Sequence, residues 1–392
     1  MTTLAQTQRR IGIALSGGGM RSAAFHAGVF RYLAEQELLE QVAHVSSVSG
    51  GSLFTGLVYK ENNYIWPSSE NYLSLVFPRI RQQFTTKSLQ ARAISHLSLK
   101  PLNWQYSLSR ANVLAKVIES VWEIDIPVCK ISLFPSWSIN GTTAETGRRF
   151  RIKDGRMGDY ELGYAEVGDL SLASAMAMSA AFPGGIGPLA INPKHFDWRK
   201  RESWNSPASE ERPCTLPFRR LHLYDGGVYD NLGIEPMFDM GKQILKTDTT
   251  PVVDYLVVSD AGAPFARGKI PHPVNPSRFK RMADIMLDQT RALRVRAFVN
   301  FLQNNPSSGA YLQLGAIPNE RIKRLSEVRN TVDQQLLAYP WLQRDDIQAA
   351  AAFPTTLHRL TETDFDLLAR HGYETAMWNQ SLSRDHSLSS RL

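Results

Sequence analysis

Cysteine is nearly absent from this chain: Cys129 and Cys214 are the only two in 392 residues. Two cysteines cannot build a disulfide framework, and neither has a neighbour with which to form a metal-binding pair. A reducing, cytoplasmic setting is therefore expected. Long apolar runs are missing too. No stretch approaches the roughly 18 residues that a membrane-spanning helix needs. Residues 1–10 hold no apolar core ahead of the first apolar segment, so a secretory signal is not expected. No segment repeats. None of the nine histidines lies in a glycine-punctuated loop of the kind that presents a catalytic base. No Gly-Lys-Ser/Thr follows the run Gly17-Gly18-Gly19, which excludes a P-loop.

What is present is ordinary for a globular chain, with 43% hydrophobic and 21% charged residues. The formal net charge of +7 fits either a solvated surface or attraction to anionic lipid headgroups or nucleotides. Ile11–Leu15 reads as a buried strand, residues 21–36 as an amphipathic helix, 42–46 as a second strand and 51–59 as the start of another helix. Strand, glycine turn, helix and strand make a βαβ unit and imply a mostly parallel sheet. Residues 62–122 are irregular and aromatic, and are expected to form a helical insertion capping a site, with plain core helices as the alternative. Paired strands are predicted at 137–142 and 149–152, a small-residue helix at 170–181, a surface loop at 198–217, and buried strands at 221–224 and 252–259. A long helix at 277–303 should carry Phe279, Met282, Ile285, Met286, Leu293, Phe298 and Phe301 near one side. Its basic residues should lie largely elsewhere. Further helices are expected at 327–337 and 362–370. The domain plan is then a flexible segment at 1–8, one catalytic domain at 9–380 and a disordered Ser/Arg-rich tail at 381–392.

Two turns carry chemistry. Gly17-Gly18-Gly19 can aim successive backbone N–H groups into one concavity, because no Cβ blocks a ligand. A phosphate-binding turn is the competing reading. Arg21, at the start of the following helix, could brace the loop or add positive potential. Ser47-Val48-Ser49-Gly50-Gly51 feeds a strand abruptly into a helix, which lifts the Ser49 hydroxyl clear of the backbone at a helix N-terminus. The usual form is G-x-S-x-G, with Ser47 here in place of the first glycine. Judged alone, Ser46, Ser47 and Ser52 compete with Ser49. A serine nucleophile needs a base, and Asp225 in Asp225-Gly226-Gly227 follows an apolar strand. In a parallel sheet it would emerge at the same rim as Ser49. Asp260, after the next strand, is its rival. His26 and His222 read as structural.

These three segments, in this order and spacing, resemble the three signatures of patatin-like phospholipases, over about 11–231 and more faintly beyond. Residues 180–184 resemble that family's segment before the aspartate strand. The resemblance implies a three-layer αβα sandwich with a mostly parallel central sheet, the extra helices forming a cap. It implies a Ser–Asp dyad without histidine: Ser49 as nucleophile and Asp225 as base. The oxyanion hole would be Gly17, Gly18, Gly19 and Gly50 with Arg21 in support, and Ser47, Gly51, Gly226 and Gly227 would shape the turns. The implied activity is phospholipase A or lysophospholipase chemistry through an acyl-enzyme, with no metal or cofactor. Phospholipid or lysophospholipid would be the substrate, met by a cytoplasmic protein in peripheral contact with a membrane surface. A regulatory nucleotide or protein is compatible with this reading, and nucleic acid is not expected. The alternatives are a nucleotide- or partner-activated membrane-degrading effector with the same dyad, and a non-catalytic lipid-binding protein.

Overall fold

The computed structural model describes residues 9–99, 109–183, 185–202, 208–265, 267–268, 270, 272, 275, 277–318, 336 and 338–389. The order begins β1 (Ile11–Leu15), α1 (Gly19–Glu35), β2 (Val42–Ser47) and α2 (Gly50–Glu61). Helices α3 (Ser69–Asn71), α4 (Phe77–Thr86), α5 (Leu89–Leu99) and α6 (Ala111–Trp122) follow, with a π turn at Tyr72–Val76. Next come β3 (Ser136–Thr143), β4 (Arg149–Lys153), β5 (Arg156–Asp159), β6 (Gly163–Glu166), α7 (Leu172–Ser179) and β7 (Leu189–Ile191). Short β8 (Arg199–Lys200) and β9 (Arg212–Pro213) precede β10 (Leu221–Asp225) and α8 (Gly227–Asp230). A two-stranded ribbon, β11 (Phe238–Asp239) and β12 (Ile244–Leu245), leads to β13 (Tyr255–Asp260) and α9 (Ser277–Asn304). The chain continues through β14 (Gly309–Gln313), α10 (Arg344–Ala352) and α11 (Glu362–Ser389).

The sheet has a parallel heart, β14-β13-β1-β2-β3, and an antiparallel wing, β4-β5-β6-β8-β9. Strand β1 is buried along its whole length, as an unbroken apolar run requires. Ile11, Ile13 and Leu15 enter the large core shared with α1, α2, α4, α6, α7 and α11. Ala14 faces a smaller core on the other side with Leu232, Met237, Phe238, Val258, Phe298 and Phe301. Helices thus cover both faces of a mixed sheet whose central strands are parallel, and the layers are unequal.

Strand β10 corrects the sequence reading. It runs antiparallel to β3 and β7, not parallel to the central strands. The register explains why its end still meets Ser49. Strand β3 pairs with β2 through Ser136–Ile139 and with β10 through Gly141–Thr143. The opposite edge of β3 is taken by β4. Strands β2 and β10 therefore lie along the same edge of β3, pointing at each other, and Ser47 and Asp225 end where they meet.

Three further expectations change. The described helices of the 62–122 region are core rather than cap: Tyr72, Ile80, Phe84, Val117, Ile118 and Trp122 are fully buried. Tyr72 donates to the carbonyl of Ala27 at 2.9 Å. Helix α11 runs through Ser389, across most of the segment expected as a tail, and packs on α1. An added Cβ on Gly28 would lie 1.7 Å from Ala369 O, so the two helices cross backbone to backbone. The loop expected at 198–217 includes the small ladder β8–β9. The helix expected at 327–337 falls, except for residue 336, outside the described residues, as do residues 1–8.

Candidate active site

Ser49 sits between β2 and α2 with φ 53° and ψ −119°, a left-handed conformation that costs a side-chain-bearing residue about 1–3 kcal/mol. The turn is held by its neighbours. The Ser49 amide donates to the carbonyl and hydroxyl of Ser179 at 3.1 and 3.0 Å. A chain of donors runs behind it. Trp137 Nε1 donates to Ser47 Oγ at 2.8 Å, Ser47 and Ser52 share a 2.8 Å bond, and Ser52 and Ser179 share another. The Ser179 hydroxyl ends the chain on Asn140 O at 2.7 Å. Ser47, in the place of the usual glycine, is a link in this chain. Ser46, Ser47 and Ser52 are buried with their hydroxyls engaged, whereas Ser49 is partly exposed.

Asp225 is 3% exposed and has the Ser49 side chain beside its carboxyl. Its Oδ1 accepts the Gly227 amide at 2.7 Å. Burial pushes the carboxyl up to about 7, and the Gly227 amide and the Ser49 hydroxyl only partly oppose that rise. The rival carboxylate, Asp260, accepts Arg291 through both oxygens, Tyr311 at 2.6 Å and the Gly262 amide at 2.9 Å. Asp260 is saturated and faces no serine nucleophile. Among the described residues, no histidine is bonded to Ser49 or Asp225. His26 lies beneath the glycine loop, with Nε2 on Ser16 O at 3.0 Å and Nδ1 on Ser259 Oγ at 2.7 Å. A carbonyl can only accept, so Nε2 carries the proton. Burial pushes this imidazole down to about 4 and keeps it neutral.

The glycine loop departs in part from expectation. The Gly17 amide donates to Asn231 O at 3.1 Å and is not available to an oxyanion. Among the described residues, the amides of Gly18, Gly19 and Gly50 have no backbone or side-chain acceptor. Gly18 (φ 145°) and Gly19 (φ 65°) take conformations that a Cβ would strain. A Cβ on Gly50 would fall 2.1 Å from Gly19 O, so the two turns touch through backbone alone. Gly51 packs against Leu15, and Gly226 against Asn140 O. Arg21 does not line the hole. It is buried, donating to Ala261 O at 3.2 Å and to Phe353 O, and burial pushes it down to about 10. It clamps the loop from behind.

Sequence reasoning missed the strap that covers this loop. Thr356 O accepts the Met20 amide at 2.9 Å, and the Thr356 hydroxyl is tied to Gln90 of α5 at 3.0 Å. Nothing in Thr355-Thr356-Leu357 announces this, because the contact depends on α11 returning the chain across α1. Asn140 was missed as well; it fills the gap between β2 and β10 by donating to Ser46 Oγ and Ser47 O, both at 3.0 Å.

No curated protein matches the chain significantly. Among solved structures, human GIVD cytosolic phospholipase A2 is similar with a TM-score of 0.53 and 14% identity, covering 98% of this chain and 63% of that one. VipD from Legionella pneumophila aligns with a TM-score of 0.35 and 13% identity, covering 96% of this chain and 67% of that one. The chain thus spans a little under two thirds of the human phospholipase structure, and that likeness is one of fold. The family model for patatin-like phospholipases matches residues 13–238, more than half of the chain and the whole stretch from the glycine loop to the aspartate turn: the chain belongs to the patatin-like phospholipase family.

Proposed function

We propose that this chain is a serine lipid acyl hydrolase of the phospholipase A or lysophospholipase kind, working through a Ser49–Asp225 dyad. One observation carries the reading: a strained, partly exposed serine stands beside a buried carboxylate whose proton affinity burial raises to about 7. Asp225 takes the proton from Ser49 Oγ as that oxygen attacks the ester carbonyl. The amides of Gly18, Gly19 and Gly50 receive the oxyanion at the paired N-termini of α1 and α2, where the helix dipoles add positive potential. Losing one such donor typically costs about 100- to 1000-fold in rate. Asp225 returns the proton to the leaving alcohol. Water then attacks the acyl-enzyme, giving its proton to Asp225, and the expelled Ser49 oxygen recovers it.

A purely lipid-binding role does not need the strained turn or the raised carboxyl. The direct test is covalent. A fluorophosphonate probe should label the folded protein, and peptide mapping should place the label on Ser49. Labelling that persists in Ser49→Ala, or maps to another residue, would sink the dyad.

A further inference from the structure

Helix α9 has two apolar sides, and only one is buried. Phe298 and Phe301 face the smaller core, while Arg291 binds Asp260 at 2.7 Å and Arg294 binds Asp230 at 3.3 Å and Glu235 at 3.0 Å. At 100° per residue these four positions fall on one side of the helix. Met282 (54% exposed), Ile285 (44%), Met286 (62%) and Leu293 (58%) form a stripe about 100° wide on the other. Phe265 and Ile270, in the segment leading into the helix, are exposed as well, and Arg281 lies over the Phe265 ring at 4.2 Å. Large apolar side chains grouped this way on a surface mark an interaction site.

The charges around the stripe indicate what covers it. Arg291 and Arg294 are engaged by Asp260, Asp230 and Glu235. Over residues 265–296 the sequence carries eight basic residues against two acidic ones, Asp284 and Asp288. Arg278 and Arg296 stand one turn beyond either end of the stripe and on its side of the helix. An apolar stripe with cations at its ends fits the boundary between acyl chains and anionic headgroups. The anchors are also placed to matter. Asp230 and Glu235 lie in the segment that follows Asp225, and Asp260 ends the strand beside the glycine loop.

We infer that the outward side of α9 is the surface by which this chain sits on an anionic lipid bilayer, inserting Met282, Ile285, Met286 and Leu293 beside the dyad rim. The inference rests on the lipid-hydrolase reading above for its partner, and it can fail separately. Flotation with phosphatidylglycerol-containing vesicles is compared for the wild-type chain, the double variant Ile285→Asp/Met286→Asp and the conservative variant Met286→Leu. Thermal melts verify folding. The double variant should bind vesicles about 10-fold or more weakly and lose hydrolysis of vesicle lipid in proportion. Its turnover of a soluble p-nitrophenyl ester should stay within about twofold, since the dyad is untouched. Met286→Leu should behave as wild type. A folded double variant that floats as well as wild type overturns the inference, and so does a wild-type chain that does not float. A double variant that loses self-association in sedimentation while still floating assigns the stripe to a second copy, which also overturns it. If flotation depends on the stripe but neither ester is hydrolysed, the docking surface stands and the dyad reading falls.

Discussion

Strands β10 and β13 end alike: each closes on a buried aspartate that accepts the amide two residues further on, Asp225 from Gly227 and Asp260 from Gly262. The remaining partners separate them. Asp260 is paired with Arg291 and accepts the Tyr311 hydroxyl, so its lone pairs are filled. Among the described residues Asp225 has no cation bonded to it; its carboxyl accepts the Gly227 amide beside Ser49, and burial lifts its proton affinity. A buried carboxylate paired with arginine is suited to bracing the fold, whereas one without a cation keeps the proton affinity that a base needs, the role proposed for Asp225.

Exchanging the two aspartates' roles is the sharpest way to break this comparison. Ser49→Ala should lower ester turnover at least about 10⁴-fold with an unchanged melt, and Asp225→Asn should be nearly as damaging, because the pair acts as a unit. Asp260→Asn should do the reverse. It strands the Arg291 charge and should cost about 3–5 kcal/mol of stability, with turnover per folded molecule reduced far less. If Asp260→Asn proves dead but fully stable, the assignment of brace and base is wrong.

Titration sharpens it further. The base must be ionised, so kcat/KM should rise with pH through about 7. Stability runs the other way. The folded carboxyl binds its proton more tightly than an unfolded aspartate of about 3.9, so its contribution is present below that value and lost as pH rises through about 7. Asp225→Asn should therefore melt above wild type beyond pH 7, by up to about 4 kcal/mol, and match it near pH 4. Denaturation at the two pH values checks this, and an equal melt at pH 8 would contradict the raised carboxyl.

Smaller effects come from the scaffold. Ser47→Gly restores the usual motif but removes the acceptor for Trp137 Nε1, and should cost about 1 kcal/mol with a few-fold loss of turnover at most. Conversion of His222 to Gln should change turnover least. Its Nδ1 is bonded to Glu145 at 2.8 Å and is remote from the serine's partners. Steady-state assays of single His→Gln variants decide this, and a dead but folded one would restore a triad.

Much of the fold was legible because its signals are local. Residues 11–59 form one βαβ unit whose boundaries shift by only a residue or two, since caps and apolar runs are set within a turn of the chain. The serine turn was legible for the same reason. The direction of β10 was not. It depends on β3 overshooting β2, a matter of relative strand length that no motif encodes. The Gly17 amide was misread because its acceptor, Asn231 O, comes from 214 positions later. The ion pairs of Arg291 and Arg294 were not legible because their carboxylates lie in other segments. Composition placed a tail where α11 continues, since the small residues that let it cross α1 carry little helical signal.

The neighbours of β1 bear on how the chain can be shortened. One edge of β1 is paired by β2, and the other by β13, from beyond the segment matched by the family model. A fragment ending at residue 238 would contain the glycine loop, the serine and the aspartate, yet it would leave the other edge of β1 unpaired. Five consecutive buried residues with open N–H and C=O groups are a template for joining strands of other molecules. Such a fragment should aggregate during refolding, because that edge of β1 is closed by a strand supplied from beyond its end, Tyr255–Asp260.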